Sequence, residues 1–482
     1  MNLPELIQDI EVISIHGDTR QEVNALCFDS REIGEGALFV AISGTGSDGH
    51  KFIQEAIKSG ATSILCENLP SEISEDICYV VTDNSRKALA LAASAWFGHP
   101  SREIKLIGVT GTNGKTTIAT LLYKVNTGLG YKAGILTTIE VLINDRSFPA
   151  SHTTPDPLQI NKSLRAMVDE GCEYCFMEVS SHAASQHRVT GLDFTGGIFT
   201  NLSHDHLDYH SSFREYLEAK KSFFDHLHPD AFALTNADDK NGDVMLQNTK
   251  ANKYSYALNK LSDFHAKILE TRFEGMALLI DDREVWMRYT GRFNAYNMLA
   301  VYATCILLGH ESGQILEQLS SAGAVPGRFE ILQGRSGSIA IVDYAHTDDA
   351  LHNVLETINE VNTAKRDIIT VLGAGGDRDR TKRPKMGSMA AAYSNKVILT
   401  SDNPRSENPE EIMNEMEKGI PLEKKENVLK IRDREEAIKT ACMLASNRSI
   451  LLVAGKGHEK YQEIKGVRHH FDDKEVLMKY LK

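Results

Sequence analysis

An apolar run from Lys105 to Val109 leads into Gly111-Thr112-Asn113-Gly114-Lys115-Thr116-Thr117, and Ile118, Leu121, Leu122 and Val125 follow at helical spacing. Strand, glycine loop and helix in that order predict a βα unit of a layered sheet, with the loop at the strand's carboxyl end. The residue types suit a phosphate cradle. Glycines let backbone N–H groups turn inward, the helix N-terminus adds positive potential, Lys115 counters phosphate charge, and Thr116 offers a hydroxyl to magnesium. The usual form of this loop has glycine where Val109 stands, whereas here Gly111 leaves only Thr112 and Asn113 before Gly114. A turn that merely starts a helix is the bland alternative. Lys-Thr-Thr after a buried strand and a glycine loop favours the phosphate loop and an enzyme that consumes ATP.

Similar units recur on both sides. Ala37 to Ile42 and Thr62 to Cys66 read as strands flanking a helix from Phe52 to Ser59, and a helix from Ser85 to Phe97 ends at His99-Pro100-Ser101. Beyond the loop, Tyr174 to Val179 and Gly196 to Thr200 read as buried strands and Leu158 to Glu170 as a helix. A third series holds strands Ile339–Asp343, Asp367–Leu372, Lys396–Thr400 and Ile450–Ala454 and helices Asp349–Val361 and Asp433–Ala445. Charged residues from Glu410 to Lys425 read as a solvated helical face. The expectation is an α/β protein of three domains, 1–100, 101–325 and 326–482, with a mainly parallel central sheet and a doubly wound, Rossmann-like third domain. A chain of 482 residues can build several cores.

A net charge of −13 argues against nucleic acid or anionic membrane as partner, so small molecules are expected. No apolar run approaches the roughly 20 residues of a membrane span. Met1 to Ile10 has no basic region before an apolar stretch, which predicts no signal peptide. Seven cysteines suit a reducing cytoplasm better than a disulfide framework. Cys172 and Cys175 form a C-x-x-C without a second pair at zinc spacing, and they read as buried thiols.

The segment Gly108 to Thr117, with Met177-Glu178-Val179-Ser180-Ser181-His182, Asn201-Leu202-Ser203-His204-Asp205-His206-Leu207-Asp208-Tyr209-His210 and Asp343-Tyr344-Ala345-His346-Thr347 in the same order, resembles the Mur ligase family, which builds the peptide stem of peptidoglycan. Within it, Asp402-Asn403-Pro404-Arg405 resembles the pocket of members that add meso-diaminopimelate to UDP-N-acetylmuramoyl-L-alanyl-D-glutamate. A guanidinium there suits a distal carboxylate that lysine lacks, and a bound lysine would leave it unpaired.

The resemblance implies an ATP-dependent acid–amino-acid ligase, monomeric, with two magnesium ions. One ion sits at Thr116. The other is held by Glu178 and His206, with Lys220 as a carbamate near the metal. Taken alone, Glu178 is a strand-end acid, His206 a structural histidine, and Lys220 an exposed helix lysine like Lys221. By the same resemblance, ATP meets Gly111 to Thr117, Asn294, Asn297, Arg328, Asp343 and His346. Ser30 contributes to the uridine-nucleotide site, and Thr153, Thr154, Ser180, Gln186 and Arg188 to the muramoyl diphosphate. The amino acid meets Arg378, Asp402, Asn403, Pro404, Arg405, Gly455 and Glu459, the last receiving its ammonium. Two positions depart from the family pattern: Ala183-Ala184 stands in place of Gly-Leu, and Asp348 in place of Pro.

The implied chemistry activates the D-glutamyl γ-carboxylate as an acyl phosphate, which the diaminopimelate amine then attacks as the third domain closes over it. The alternatives are a lysine-adding homologue, a folylpolyglutamate synthase and a nucleotide-dependent regulator. Asp29-Ser30-Arg31 and Asp402 to Arg405 speak against the last two.

Overall fold

The computed structural model describes residues 1–44, 47–150, 152–203, 205, 209–210, 212–334 and 337–481. Within them the strands form sheets of five, eleven and six strands and a separate hairpin. In the first sheet Ala25–Cys27, Ala37–Val40, Ala61–Cys66 and Cys78–Thr82 run parallel, and Val12–His16 closes one edge antiparallel.

Lys105–Thr110 lies in the middle of the eleven-stranded sheet, between Gly196–Phe199 and Tyr174–Glu178 and parallel to both. Ala133–Leu136, Phe232–Asn236, Asn252–Ala257 and Phe264–Arg272 extend the parallel part. Each outer edge is an antiparallel meander, Glu140–Ile143 with Arg146–Pro149 on one side and Gly275–Ile280 with Arg283–Met287 on the other. A parallel strand needs both faces covered. The helix Lys115–Gly128, through Ile118, Leu121, Leu122 and Val125, and the helix Arg292–Leu307, through Met298, Leu299 and Val301, pack one face, and the helices Pro157–Asp169 and Phe213–Asp225 pack the other. Full burial of each such aliphatic side chain contributes about 1.5–3 kcal/mol.

The third sheet orders Glu330–Gln333, Ile339–Asp343, Ser449–Ala454, Asp367–Leu372, Lys396–Leu399 and Val428–Lys430, parallel except for the first strand. The hairpin Tyr461–Ile464 with Val467–His470 stands beside it.

The strands and long helices named from the sequence fall within about one residue of the observed ones, except that Ala37 to Ile42 ends at Val40, while the buried strands Cys78–Thr82, Ala133–Leu136 and Phe232–Asn236 were not anticipated. Phe52 to Ser59 begins as the 3-10 turn Gly49–Phe52 before the helix Ile53–Lys58. The Glu410 to Lys425 stretch is not one solvated face. It divides into the helix Pro409–Glu417, which buries Ile412, Met413 and Met416, and the 3-10 turn Leu422–Asn427.

Candidate active site

The phosphate loop is held from beneath by the turn after Gly196–Phe199. Thr112 N donates to Asn201 O at 2.9 Å, Asn113 N to Asn201 Oδ1 at 2.9 Å, and Thr200 Oγ1 to Asn113 O at 2.6 Å. This proximity accounts for the glycines. A Cβ on Gly111 would lie 1.9 Å from Thr200 Oγ1, and one on Gly114, at φ +89°, would lie 2.6 Å from Asn297 Oδ1. Thr200 and Asn201 went without a role in the sequence reading, because a strand-end Thr-Asn gives no local sign of what it will grip. Lys115 Nζ donates to the carbonyls of Gly111 and Thr112, both at 2.9 Å, and burial pushes its pKa down.

Behind the loop, Glu178 ends its strand fully buried. Its Oε1 accepts from Thr116 Oγ1 and from Thr138 N, both at 2.8 Å. Lys220 overturns its bland reading. It is 1% exposed, donates from Nζ to Gly111 O at 2.8 Å, and its pKa is pushed well down, first by burial and then by the charge of Lys115. Lys221 is not exposed either, and pairs with Asp225 at 2.7 Å. His206 lies outside the described residues. Among the described residues no group of three His, Cys, Asp or Glu side chains is placed to hold a metal. Cys172 and Cys175 are buried, and burial raises both thiol pKa values.

Thr153, Thr154, Ser180, Gln186 and Arg188 come together beside Glu178. Thr154 Oγ1 donates to Glu178 O at 2.7 Å and accepts from Ser180 N at 3.1 Å, and Thr138 Oγ1 donates to Thr153 Oγ1 at 3.1 Å. Arg188 Nη1 donates to Thr154 O at 2.7 Å and its Nη2 to Gln186 Oε1 at 2.7 Å. Ser180 caps the helix Ser181–Ser185, accepting from Ala183 N at 3.2 Å, so Ala183-Ala184 is accommodated as helix.

The third sheet faces this assembly. Arg328 Nη2 donates to Thr116 Oγ1 at 3.0 Å, and Asn113 Nδ2 donates to Asp349 Oδ2 at 3.0 Å. Asp343 accepts from Phe329 N at 2.6 Å and Ala345 N at 2.7 Å, while burial raises its pKa. His346 Nδ1 donates to Tyr344 O at 2.8 Å, and burial lowers its pKa to about 4. Asp348 is the first residue of the helix Asp348–Val361, capped by Thr347. A first-turn acid suits the helix dipole where proline suits the first-turn φ, so the substitution keeps the helix start.

Asp402, Asn403 and Glu459 form a buried polar group with Lys456. Asn403 Nδ2 donates to Glu459 Oε2 at 2.8 Å, and Lys456 Nζ donates to the same oxygen at 2.9 Å. Gly455, at φ +115°, brings backbone against Asp402, where a Cβ would sit 2.6 Å from Oδ2. Arg405 adopts φ +49° and donates from Nη1 to Gly376 O at 2.6 Å.

These groups share one cleft of about 740 Å³, lined by Thr112 to Thr117, Thr153, Thr154, Glu178, Ser180, Arg188 and Lys220 on one side. Asn297 lines it too, and Arg328, Asp343, His346, Arg378, Asp402, Asn403, Arg405, Gly455 and Glu459 line it from the third sheet's side. Gly111, Gln186 and Pro404 support the wall without lining it. Asn294 faces a smaller cavity and reaches the site through Asn297, whose Nδ2 donates to Asn294 Oδ1 at 3.1 Å. Ser30 is not brought to the cleft. It sits in the 3-10 turn Ser30–Glu32 beside the Asp29–Arg31 ion pair.

Three family models match in succession: "Mur ligase family, catalytic domain" over residues 22–99, "Mur ligase middle domain" over 109–305, and "Mur ligase, glutamate ligase domain" over 327–457. The chain belongs to the Mur ligase family. Among curated Mur ligases it is 54% identical over 477 residues to the UDP-N-acetylmuramoyl-L-alanyl-D-glutamate–2,6-diaminopimelate ligase of Phocaeicola vulgatus, covering 99% of each chain. It is 52% identical over 482 residues to the protein of the same name from Cytophaga hutchinsonii, covering 100% of this chain and 99% of that one. A solved Mur ligase structure bearing that enzyme name superposes with a TM-score of 0.70 at 30% identity, over 100% of this chain and 98% of the other. A MurF ligase of Thermotoga maritima, solved with ADP, shares the fold at 20% identity and a TM-score of 0.62, over 89% and 93% of the two chains.

Proposed function

We propose that this chain is the ATP-dependent ligase that joins meso-2,6-diaminopimelate to the D-glutamyl γ-carboxylate of UDP-N-acetylmuramoyl-L-alanyl-D-glutamate in peptidoglycan synthesis. The observation that carries the reading is one cleft with the phosphate loop on one wall and Arg378 and Arg405 on the other, in a chain more than half identical to relatives named for this reaction. A carboxylate is a poor electrophile, so amide formation requires one oxygen to become a leaving group. The γ-carboxylate attacks the γ-phosphate of ATP, giving an acyl phosphate and ADP, and the amine then displaces phosphate.

In this scheme the backbone of Gly111 to Thr117 and Lys115 hold the β and γ phosphates. Arg328, Asp343, His346, Asn294 and Asn297 complete the nucleotide site. Ser30 serves the uridine end, while Thr153, Thr154, Ser180, Gln186 and Arg188 serve the diphosphate and sugar. Arg378 and Arg405 meet the distal carboxylate of the amino acid, supported by Asp402, Asn403, Pro404 and Gly455, and Glu459 receives its ammonium. Closure of the third domain over this cleft excludes water from the acyl phosphate.

The oxygen donors at Thr116 and Glu178, 2.8 Å apart, fit a hard cation, and two magnesium ions held by Thr116, Glu178, His206 and carbamylated Lys220 belong to this proposal. Bound magnesium supplies charge neutralisation at the phosphate oxygens. Burial supports the modification of Lys220, since a neutral amine is the form that attacks carbon dioxide. The division at 1–100, 101–325 and 326–482 is supported by the three sheets and the three matched segments, and a monomeric, cytoplasmic enzyme completes the reading. Among the described residues no helix is long and apolar enough to cross a membrane.

One assay tests the function. The protein is incubated with ATP, magnesium and the UDP-muramoyl dipeptide, together with meso-diaminopimelate, lysine or no amino acid, and the products are read by mass spectrometry. The expected result is a UDP-muramoyl tripeptide carrying diaminopimelate, formed with ADP. Tripeptide formed equally well with lysine, or no tripeptide at all, would overturn it.

A further inference from the structure

Between Gly455 and Glu459 stands Lys456, a residue to which the sequence reading gives no role. It is fully buried. A buried ammonium is costly unless anions and dipoles surround it, and an aliphatic side chain would fill the same space without that cost. What surrounds Lys456 is the amino-acid side of the cleft. Its Nζ donates to Asn403 Oδ1 at 3.0 Å and to Glu459 Oε2 at 2.9 Å, and lies 5.5 Å from the centre of the Tyr461 ring.

We propose that Lys456 is the positioning residue of the amino-acid pocket, fixing the Asn403 amide and the Glu459 carboxylate so that one carboxylate oxygen is left for the substrate's ammonium group. The inference rests on the reading of this cleft as the diaminopimelate site.

Asn403 Oδ1 accepts from Lys456 Nζ and from Glu463 N, both at 3.0 Å, and two donors aimed at one atom identify it as the amide oxygen. A flipped amide would face two donors with its NH2 group. With the oxygen so fixed, Nδ2 is left to donate to Glu459 Oε2 at 2.8 Å. Glu459 Oε2 therefore has two donors, and Oε1 has no hydrogen bond within the described residues while the side chain lines the cleft. An incoming ammonium meets a carboxylate that is already aimed and half satisfied.

Asp402 and Glu459 bring two negative charges, Lys456 one positive, and the nearby Arg434 is matched by Asp473 at 2.7 Å. One negative charge remains, which an ammonium neutralises. Burial raises the Glu459 carboxyl and Asp402 raises it further, while Lys456 opposes both. Without Lys456 the Glu459 carboxyl is pushed further up, which favours the protonated form and weakens its role as a pure acceptor. The groups facing Glu459 are Lys456, Asp402, Arg434, Tyr344 and Tyr461. Burial raises both tyrosines, so they stay neutral through pH 9.

The test compares the full-length wild type with K456M and K456Q, measuring kcat and separate KM values for meso-diaminopimelate and ATP from pH 7 to pH 9. Diaminopimelate-dependent turnover by the wild type comes first, since its failure sinks the functional reading rather than this one. The expected result is a diaminopimelate KM raised at least tenfold in K456M and less in K456Q, with the KM for ATP within about twofold of wild type. The defect should shrink, relative to wild type at each pH, as rising pH favours the ionised form of the Glu459 carboxyl that loss of Lys456 pushes up. K456Q keeps a donor and most of the volume, so it carries the test if K456M does not fold. An unchanged diaminopimelate KM, a parallel loss in the KM for ATP, or a defect independent of pH would overturn the proposal.

Discussion

The Arg328 guanidinium donates to Thr116 Oγ1 at 3.0 Å, tying the entrance of the third sheet to the first turn of the phosphate-loop helix. The same hydroxyl donates to Glu178 Oε1 at 2.8 Å, and the guanidinium carbon lies 4.4 Å from the centre of the Tyr344 ring. One cation thus spans the nucleotide wall and the wall that faces it. A guanidinium placed where phosphate charge shifts stabilises the transition state more than the ground state. Arg328→Leu is expected to lower kcat/KM for ATP by about 100-fold to 1,000-fold, which corresponds to roughly 2.7–4 kcal/mol. Steady-state ADP release measures it, with circular dichroism to confirm the fold. Unchanged ATP kinetics would remove Arg328 from the site.

Lys115 is the sharpest test of the loop itself. Its ammonium is buried among the carbonyls of Gly111 and Thr112, a position from which it can turn to phosphate oxygens. Lys115→Ala should abolish amino-acid-dependent ADP release. A variant that kept full turnover would refute the assignment.

Lys220 should be modified. Its amine is buried against Gly111 O, and burial together with the charge of Lys115 pushes its pKa well down, which favours the uncharged form that reacts with carbon dioxide. Native mass spectrometry of protein prepared with bicarbonate should show one added carbon dioxide that Lys220→Ala lacks. Activity should fall after bicarbonate is removed and return when it is restored. Bicarbonate-independent activity would count against the modification.

Two histidines predict an acid limit. Burial lowers His346 to about 4 and His458 to about 3, both from an unfolded value of 6.5. Below pH 6.5 the unfolded chain binds protons that the folded chain refuses, so their contribution to stability is complete above pH 6.5 and is lost as pH falls toward 4 and below. His346→Asn should flatten the stability profile across that window by an amount on the order of 1–3 kcal/mol. Urea midpoints at a series of pH values read it out. An equally steep profile in the variant would place the acid sensitivity elsewhere.

Much of this site was legible because its chemistry is local. Lys115, Thr116 and Glu178 follow or end strands whose apolar runs announce them, and the four central strands of the third sheet were found the same way, whereas Glu330–Gln333 and Val428–Lys430 were not. What escaped was set by neighbours distant in sequence. Arg283–Met287 and Arg146–Pro149 are edge strands with little burial, so they lack the apolar run that marks a central strand. Taken alone, Lys220 reads as an ordinary lysine and only the family resemblance gave it a role, while Lys456 was given none, since only the packing of Tyr216 and Gly111 around one, and of Asn403 and Glu459 around the other, buries them. The grip of Asn201 on the phosphate loop depends on two strands meeting side by side, which a strand-end Asn does not signal.

Selectivity for the amino acid should depend on Arg405 and on the backbone that aims it. Arg405 is held in the left-handed region at φ +49° because its N donates to Glu463 O at 3.1 Å and its own carbonyl accepts from Lys465 N at 2.8 Å. The hairpin Tyr461–Ile464 with Val467–His470 therefore sets the direction of the side chain, and Nη1 donates to Gly376 O at 2.6 Å. A bidentate guanidinium–carboxylate contact is worth roughly 1.5–3 kcal/mol. Arg405→Ala should therefore raise the KM for meso-diaminopimelate by about 10-fold to 150-fold, while any slow turnover of lysine stays level or rises. Gly376→Ala should act in the same direction without removing the guanidinium, because its Cβ would lie 2.0 Å from Pro404 O and would force the loop from Asp402 to Arg405 to move. Competition between the two amino acids, read by product mass, decides it. If both variants lost diaminopimelate and lysine turnover in proportion, the loop would support the fold rather than select the substrate.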